Sequence, residues 1–275
     1  MKIAAPAPLR KFKRFVDVQT ACRRLLSNTD LLTPKQRDLV NGVAKIVSLD
    51  DEMYGRRPEH YFQVGLSAIE NINDVLAAAG VGRSIKRILD FPCGHGRVLR
   101  YLRQQFPAAE IYAGVIDTGA VAFCEEAFGA IGIKSDTDFR KVALDRKFDL
   151  IWCGSLITHL QEEPTLQLFE FLSSHVDRRG VLVITTHGSF ATQLMVQKSH
   201  KYGLTEEAAR SIAAAYAATG YGYAHYPGRT DYGIAAVSPD WIRAYFRRKE
   251  GWKEIYCKEH GWDDHQDVIA FARQD

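Results

Sequence analysis

The 275-residue chain has no long apolar run, few cysteines and almost no net charge, and each shortage removes a class of protein. A membrane-spanning helix needs about 20 consecutive apolar residues, and no stretch approaches that length. The opening Met1-Lys-Ile-Ala-Ala-Pro-Ala-Pro is too short and too broken by proline for a secretory leader, so a cytoplasmic protein without a membrane partner is expected. Its five cysteines (Cys22, Cys93, Cys124, Cys153 and Cys257) are odd in number, far apart and form no Cys-x-x-Cys pair, which suggests neither a disulfide framework nor a zinc site. With 36 basic and 33 acidic residues, the formal charge of +3 gives no case for a nucleic-acid partner. The first 49 residues carry ten basic and three acidic side chains, which reads as a solvated basic helix.

Hydrophobic residues make up 46% of the chain, enough for a full core. Up to residue 83 the pattern is helical. Phe62, Gly65, Leu66, Ile69, Ile72, Leu76 and Ala79 recur at spacings of three and four until Gly80 to Gly82 stop the helix. From residue 84 short apolar runs alternate with helical stretches. Strands are predicted at 85–90, 110–116, 131–134, 148–153 and 181–186, with helices at 96–105, 118–128 and 164–174 between them. Such strands, apolar on both faces, imply a parallel sheet covered on both sides. Two closing strands, 252–257 and 267–272, are too near each other for a parallel crossover, so the last one should run antiparallel. The expected architecture is α/β, Rossmann-like, with seven strands. Residues 1–83 form a helical N-terminal extension and 84–275 the main domain, with an insertion at 189–237 after strand five. That insertion holds an Ala-rich helix at 206–218 and the segment Gly-Tyr-Gly-Tyr-Ala-His-Tyr-Pro-Gly-Arg-Thr-Asp-Tyr-Gly, long enough for a lid over a binding site.

The most informative stretch is Arg-Ile-Leu-Asp-Phe-Pro-Cys-Gly-His-Gly-Arg-Val-Leu-Arg, residues 87–100. A strand delivers Asp90 to a turn with Gly94 and Gly96, and a helix follows. Glycines let backbone approach a ligand, and helix amides present partial positive charge to it. A dinucleotide fingerprint would place a third glycine at position 99, where Leu99 stands, so a nicotinamide enzyme is disfavoured. Asp90 also argues against a pyrophosphate, whereas a carboxylate suits an ammonium or sulfonium group.

This stretch resembles the first motif of class I S-adenosylmethionine-dependent methyltransferases, with Pro92 in place of the usual first glycine. Residues 147–160, Lys-Phe-Asp-Leu-Ile-Trp-Cys-Gly-Ser-Leu-Ile-Thr-His-Leu, are similar to the family's fourth-strand motif. The resemblance implies S-adenosylmethionine as cofactor. It places Asp90, Phe91, Pro92, Cys93, Gly94 and Gly96 around the methionine end, Asp136 near the adenine, and Cys153 and Gly154 along the cleft. In the family an acidic residue after strand two takes the ribose hydroxyls. Here Val115 occupies that place by ungapped count, and Asp117 follows two residues later. Either Asp117 serves the ribose, or recognition is weakened and the chain is a non-catalytic or altered-cofactor binding protein. Asp117 can also cap the helix that starts at Thr118.

If the acceptor is protonated, methyl transfer needs a base. His159 after strand four, His187 after strand five and His265 in the C-terminal loop are the candidates, because the carboxyl ends of parallel strands form the crevice. His260, Asp263, Asp264 and His265 lack a metal-binding helix spacing, and no metal is expected. Tyr54 and Tyr61 could close over the cofactor, while Tyr221, Tyr223, Tyr226 and Tyr232 could wall the acceptor. A lid-sized insertion favours a small-molecule or glycan-like acceptor.

Overall fold

A computed structural model describes residues 7–28, 31–55, 57–80 and 84–274. Its elements in chain order are α1 (Ala7–Ser27), α2 (Pro34–Gly42), α3 (Pro58–Ala78), β1 (Arg87–Asp90), α4 (Leu99–Gln105), β2 (Glu110–Val115), α5 (Thr118–Phe128), β3 (Ile131–Lys134) and β4 (Phe148–Cys153). They continue with α6 (Glu162–His175), β5 (Val176–Thr186), α7 (Ser189–Gln197), α8 (Glu206–Thr219), β6 (Tyr221–His225), β7 (Gly233–Val237), α9 (Pro239–Phe246), β8 (Trp252–Trp262) and β9 (Gln266–Arg273).

Seven strands form one sheet in the order β3-β2-β1-β4-β5-β9-β8. β1 to β5 pair in parallel, and β9 runs antiparallel to both β5 and β8, as the short connection requires. Alternation along each strand divides the core in two. On one face Ile88, Leu150, Trp152, Val183 and Ala270 meet the helices α1 to α4. On the other Leu89, Ile151, Cys153, Ile184 and Ile269 meet Leu168 and Phe169 of α6 and Ile242 and Phe246 of α9. A strand buried on both faces has to alternate its core partners in this way.

Local signals set the helix limits. Asp117 caps α5 by accepting from the amides of Gly119 and Ala120, and Gly129 ends it in the left-handed conformation. Ser238 and Pro239 start α9, and Thr33 with Gln36 forms a capping box on α2.

Four expectations need correction. Helix α4 begins at Leu99 instead of Gly96, because the chain is still turning through Gly94 and Gly96, both with positive φ. β5 starts at Val176, directly after α6. The loop expected between the last strands is mostly strand: β8 runs on to Trp262 and leaves only Asp263 to His265 as the turn. Within the insertion the aromatic segment forms the β6–β7 hairpin, a separate two-stranded sheet. Its Ile234 and Ala236 join Ala191, Met195 and Ile212 in a small third core, while Ala235 and Val237 face the main one. The helix stop expected at Gly80 to Gly82 lies partly outside the described residues.

Candidate functional site

The turn after β1 hangs between its two neighbouring strands. Phe91 donates its amide to the Trp152 carbonyl and Cys93 donates to Gly114, each at 3.0 Å. Gly94 has φ +49°, and a Cβ built there meets nothing within 4 Å, so its backbone fronts open space. Gly96, at φ +78°, is required for a different reason: a side chain there would run into the Phe128 ring. The thiols of Cys93 and Cys124 both donate to the Gly94 carbonyl, at 3.3 and 3.4 Å, and hold it from beneath.

Asp90 ends β1 at 1% exposure, and neither carboxylate oxygen has a hydrogen-bond partner. Desolvation pushes its pKa well above the ordinary carboxylate value, and nearby Arg97 works against that. Leaving such a group unpaired costs about 1–3 kcal/mol, so it calls for a functional explanation. An ammonium or sulfonium group placed against Asp90 would supply the missing partner, and in this respect the residues present fit S-adenosylmethionine.

The other expected cofactor residues are spread over the same end of the sheet. Phe91 turns its ring into the core, 5.4 Å from Phe171, so only its backbone remains at the turn; Pro92 is half-buried. Asp117 is exposed and spends Oδ1 on its helix cap. Asp136 is half-buried, and its Oδ1 accepts from the Asp138 amide at 2.9 Å. Cys153 and Gly154 are buried at the end of β4, and burial followed by the Asp90 charge pushes the Cys153 thiol up. Tyr54 and Tyr61 are core residues stacked edge to face at 5.4 Å. The Tyr61 hydroxyl donates to Asp51 at 2.7 Å and accepts from Arg100 at 3.1 Å.

The insertion folds over the carboxyl ends of β4 and β5. Nδ1 of His159, in the short 3-10 turn Ile157–His159, lies 2.9 Å from the Gly233 carbonyl, and Nδ1 of His187 lies 2.9 Å from the Ala235 carbonyl. A carbonyl only accepts, so both rings carry hydrogen on Nδ1 and leave Nε2 as a bare lone pair. Rings of His187 and His265 are 5.4 Å apart, and the Tyr202 hydroxyl lies 3.4 Å from Nε2 of His265. His159 stands a little aside, stacked on Tyr232 at 4.9 Å. Burial lowers the pKa of all three; that of His187 falls to about 3, with the neighbouring imidazoles adding to the effect. Of the predicted tyrosine wall, Tyr226 and Tyr232 lie beside His159, whereas Tyr221 points away into Thr165 and Trp241.

Sequence reasoning missed two parts of this region. Ser155 donates its amide to the Thr185 hydroxyl at 2.8 Å, Thr185 donates to Gln266 at 2.7 Å, and Gln266 returns to the Ser155 hydroxyl at 3.0 Å. This ring of bonds ties together the ends of β4, β5 and β9, and short polar residues on separate strands give no local signal of it. Arg97, the first residue after Gly96, is the other. The His260 ring lies tilted against Phe190 at 4.0 Å, and Asp263 pairs with His60 at 2.9 Å.

Residues 89–182, from β1 into β5, match the family model of a methyltransferase domain. Over these residues the chain is similar to a methyltransferase domain. Its fold is similar to that of magnesium protoporphyrin IX methyltransferase from Synechocystis PCC 6803, solved with bound SAH, at 14% identity and a TM-score of 0.53, over 81% of this chain and 92% of that one. A S-adenosylmethionine-dependent methyltransferase from Clostridium acetobutylicum ATCC 824 is similar at 12% identity and a TM-score of 0.54, over 76% and 92%. So is a SAM-bound amino pentose methyltransferase from Micromonospora echinaspora, involved in calicheamicin biosynthesis, at 15% and 0.51, over 81% and 94%. At these identities the likeness is one of fold. No curated protein matches the chain significantly in sequence. No helix among its described residues is long and apolar enough to cross a membrane.

Proposed function

We propose that residues 84–275 transfer a methyl group to a small-molecule acceptor held between the β4 and β5 ends and the 189–237 insertion, with residues 1–83 as a helical extension. The observation that carries this reading is the docking of the β7 edge on His159 and His187, which puts a cover with its own core over the crevice. A protein surface would not fit under such a cover, whereas a small or glycan-like molecule would.

When bound, S-adenosylmethionine supplies an electrophilic methyl carbon. Asp90 would take its positive charge, the backbone at Gly94 would allow close approach, and Asp117 would take the ribose and Asp136 the adenine. Cys153 turns its side chain into the core, so it and Gly154 would border the cleft only through the backbone at the end of β4. Most of the rate comes from holding acceptor and methyl in line. A neutral imidazole with a bare Nε2 can take a proton from an acceptor hydroxyl or amine, and His159 and His187 have that form, while His265, whose Nε2 faces the Tyr202 hydroxyl, is the third candidate.

Calorimetry of the purified protein against S-adenosylmethionine, S-adenosylhomocysteine and NAD tests the cofactor; binding of the first two and not the third is expected. For the base, the His159→Gln, His187→Gln and His265→Gln proteins should include one whose methyl transfer falls about 10²–10⁴-fold with cofactor affinity unchanged. Full turnover in all three would remove the histidine base and leave positioning alone.

A further inference from the structure

Tyr202 ends the short 3-10 turn Ser199–Tyr202 of the insertion and is half-buried. Its hydroxyl lies 3.4 Å from Nε2 of His265, and the two rings stack at 5.8 Å with 28° between their planes. The same ring meets His187 edge-on at 6.2 Å, and Phe190 stands 6.4 Å from His265. The hydroxyl makes no other hydrogen bond to a described residue.

The two partners belong to different parts of the molecule. Tyr202 comes with the cover, whereas His265 closes the turn between β8 and β9. That turn is held by the rest of the chain. Gln266 is bonded to Ser155 and Thr185, Asp263 donates its amide to Ser67 at 3.0 Å, and the Trp262 indole donates to the Val64 carbonyl at 2.9 Å. Asp263 and Asp264, just before His265, sit at φ +58° and +50°, a left-handed pair that delivers the imidazole to Tyr202.

Protonation states define what the pair can do. Burial pushes the Tyr202 phenol up to about 12, so it keeps its proton and can donate it to Nε2. A neutral ring that accepts there carries its own hydrogen on Nδ1. When an acceptor hydroxyl or amine gives its proton to the Tyr202 oxygen, the phenol proton moves on to Nε2. One O–H bond forms as another breaks, and the charge comes to rest as an imidazolium. Burial lowers the His265 pKa, Asp263 pulls it back up and His260 pushes it down, while His187 faces it at 5.4 Å from the end of β5. No carboxylate supports His159 or His187 in this way.

We propose that Tyr202 and His265 form a proton relay, in which the Tyr202 hydroxyl meets the acceptor and His265 stores the proton. This rests on the methyltransferase reading above, chooses one base among the three histidines, and adds a catalytic residue that the cover supplies. The relay exists only with the insertion docked.

The test is Tyr202→Phe, which keeps both ring contacts and removes one hydroxyl. NMR titration of the His265 imidazole, in protein saturated with S-adenosylhomocysteine, reads the hydrogen bond: losing a donor to the neutral ring should raise its pKa by about half a unit or more. Methyl transfer from S-adenosylmethionine to catechol and to methyl glucoside, a phenolic and a sugar hydroxyl, reads the relay. Here kcat should fall about tenfold or more, with KM and S-adenosylhomocysteine affinity unchanged. His265→Gln should lose at least as much, and the double variant no more than His265→Gln alone, because the two act as a unit. An unmoved His265 pKa, full kcat in Tyr202→Phe, or losses that multiply in the double variant would overturn the relay and leave the methyltransferase reading standing. Wild-type protein that does not bind S-adenosylhomocysteine overturns that reading and the relay with it.

Discussion

Nδ1 of His187 lies 2.9 Å from the carbonyl oxygen of Ala235, and Nδ1 of His159 stands at the same distance from Gly233, two residues away on β7. Alternate carbonyls of a strand point to the same edge, so one strand of the insertion sets the tautomer of both rings. The enclosure also has a pH signature. His187 titrates near 3 in the folded protein, against about 6.5 when unfolded. Its neutral burial therefore costs nothing above pH 6.5, and stability is lost as pH falls from there toward 3. Denaturant titrations from pH 7 to pH 4 should show a shallower decline in His187→Gln than in wild type. Parallel declines would mean that the ring is not buried neutral.

Gly94 is where the backbone fronts open space in a left-handed conformation. Gly94→Val should cost about 1–3 kcal/mol in stability for the strained φ, and should abolish S-adenosylmethionine binding, because the new side chain fills the approach. A thermal melt separates the two effects: a folded variant with native affinity would place the cofactor elsewhere.

Asp117 combines helix capping with the proposed ribose contact. Asparagine caps about as well as aspartate, so Asp117→Asn should melt with wild type while its affinity for S-adenosylmethionine weakens by about 1.5–3 kcal/mol. If affinity is unchanged, Asp117 is a cap alone, and Val115→Asp should then strengthen binding.

Asp90 should show a trade between stability and function. Its folded pKa lies above the unfolded value, so stability is greatest in acid and declines as pH rises through the folded pKa. Removing the charge removes that decline. Empty Asp90→Asn protein should be more stable than wild type at neutral and alkaline pH, by up to about 1–3 kcal/mol, with the difference vanishing near pH 3. A less stable variant at pH 8 would show that Asp90 is paired in solution.

What could be read in advance was local. Spacing of Asp90, Gly94 and Gly96 announced the turn, and Asp117 and Gly129 marked both ends of α5, because caps and left-handed glycines act within a few residues. The short connection before Asp267 was enough to reverse the last strand. The β6–β7 hairpin was not legible, because Tyr221 and Tyr223 become strand only by pairing with Val237 and Ala235 across a turn. Each histidine could be named singly, but the Gly233 and Ala235 carbonyls that orient two of them carry no side-chain signature. Arg97 went unnoticed for a related reason: an arginine after a glycine turn is unremarkable until it is seen over the Trp262 ring, far along the chain.

The sheet's two borders have a bearing on how copies of the chain can meet. β8 is interrupted by register shifts between Glu254 and Tyr256 and between Lys258 and Trp262, and it carries exposed Lys253, Lys258 and Glu259. At the opposite border β3 is four residues long and ends on exposed Lys134. Neither offers the long, flat, uncharged row of amides and carbonyls that templates another strand. The β7 edge of the hairpin is occupied by the imidazoles of His159 and His187. Strand addition at these borders is thereby disfavoured as a way for copies of the chain to meet.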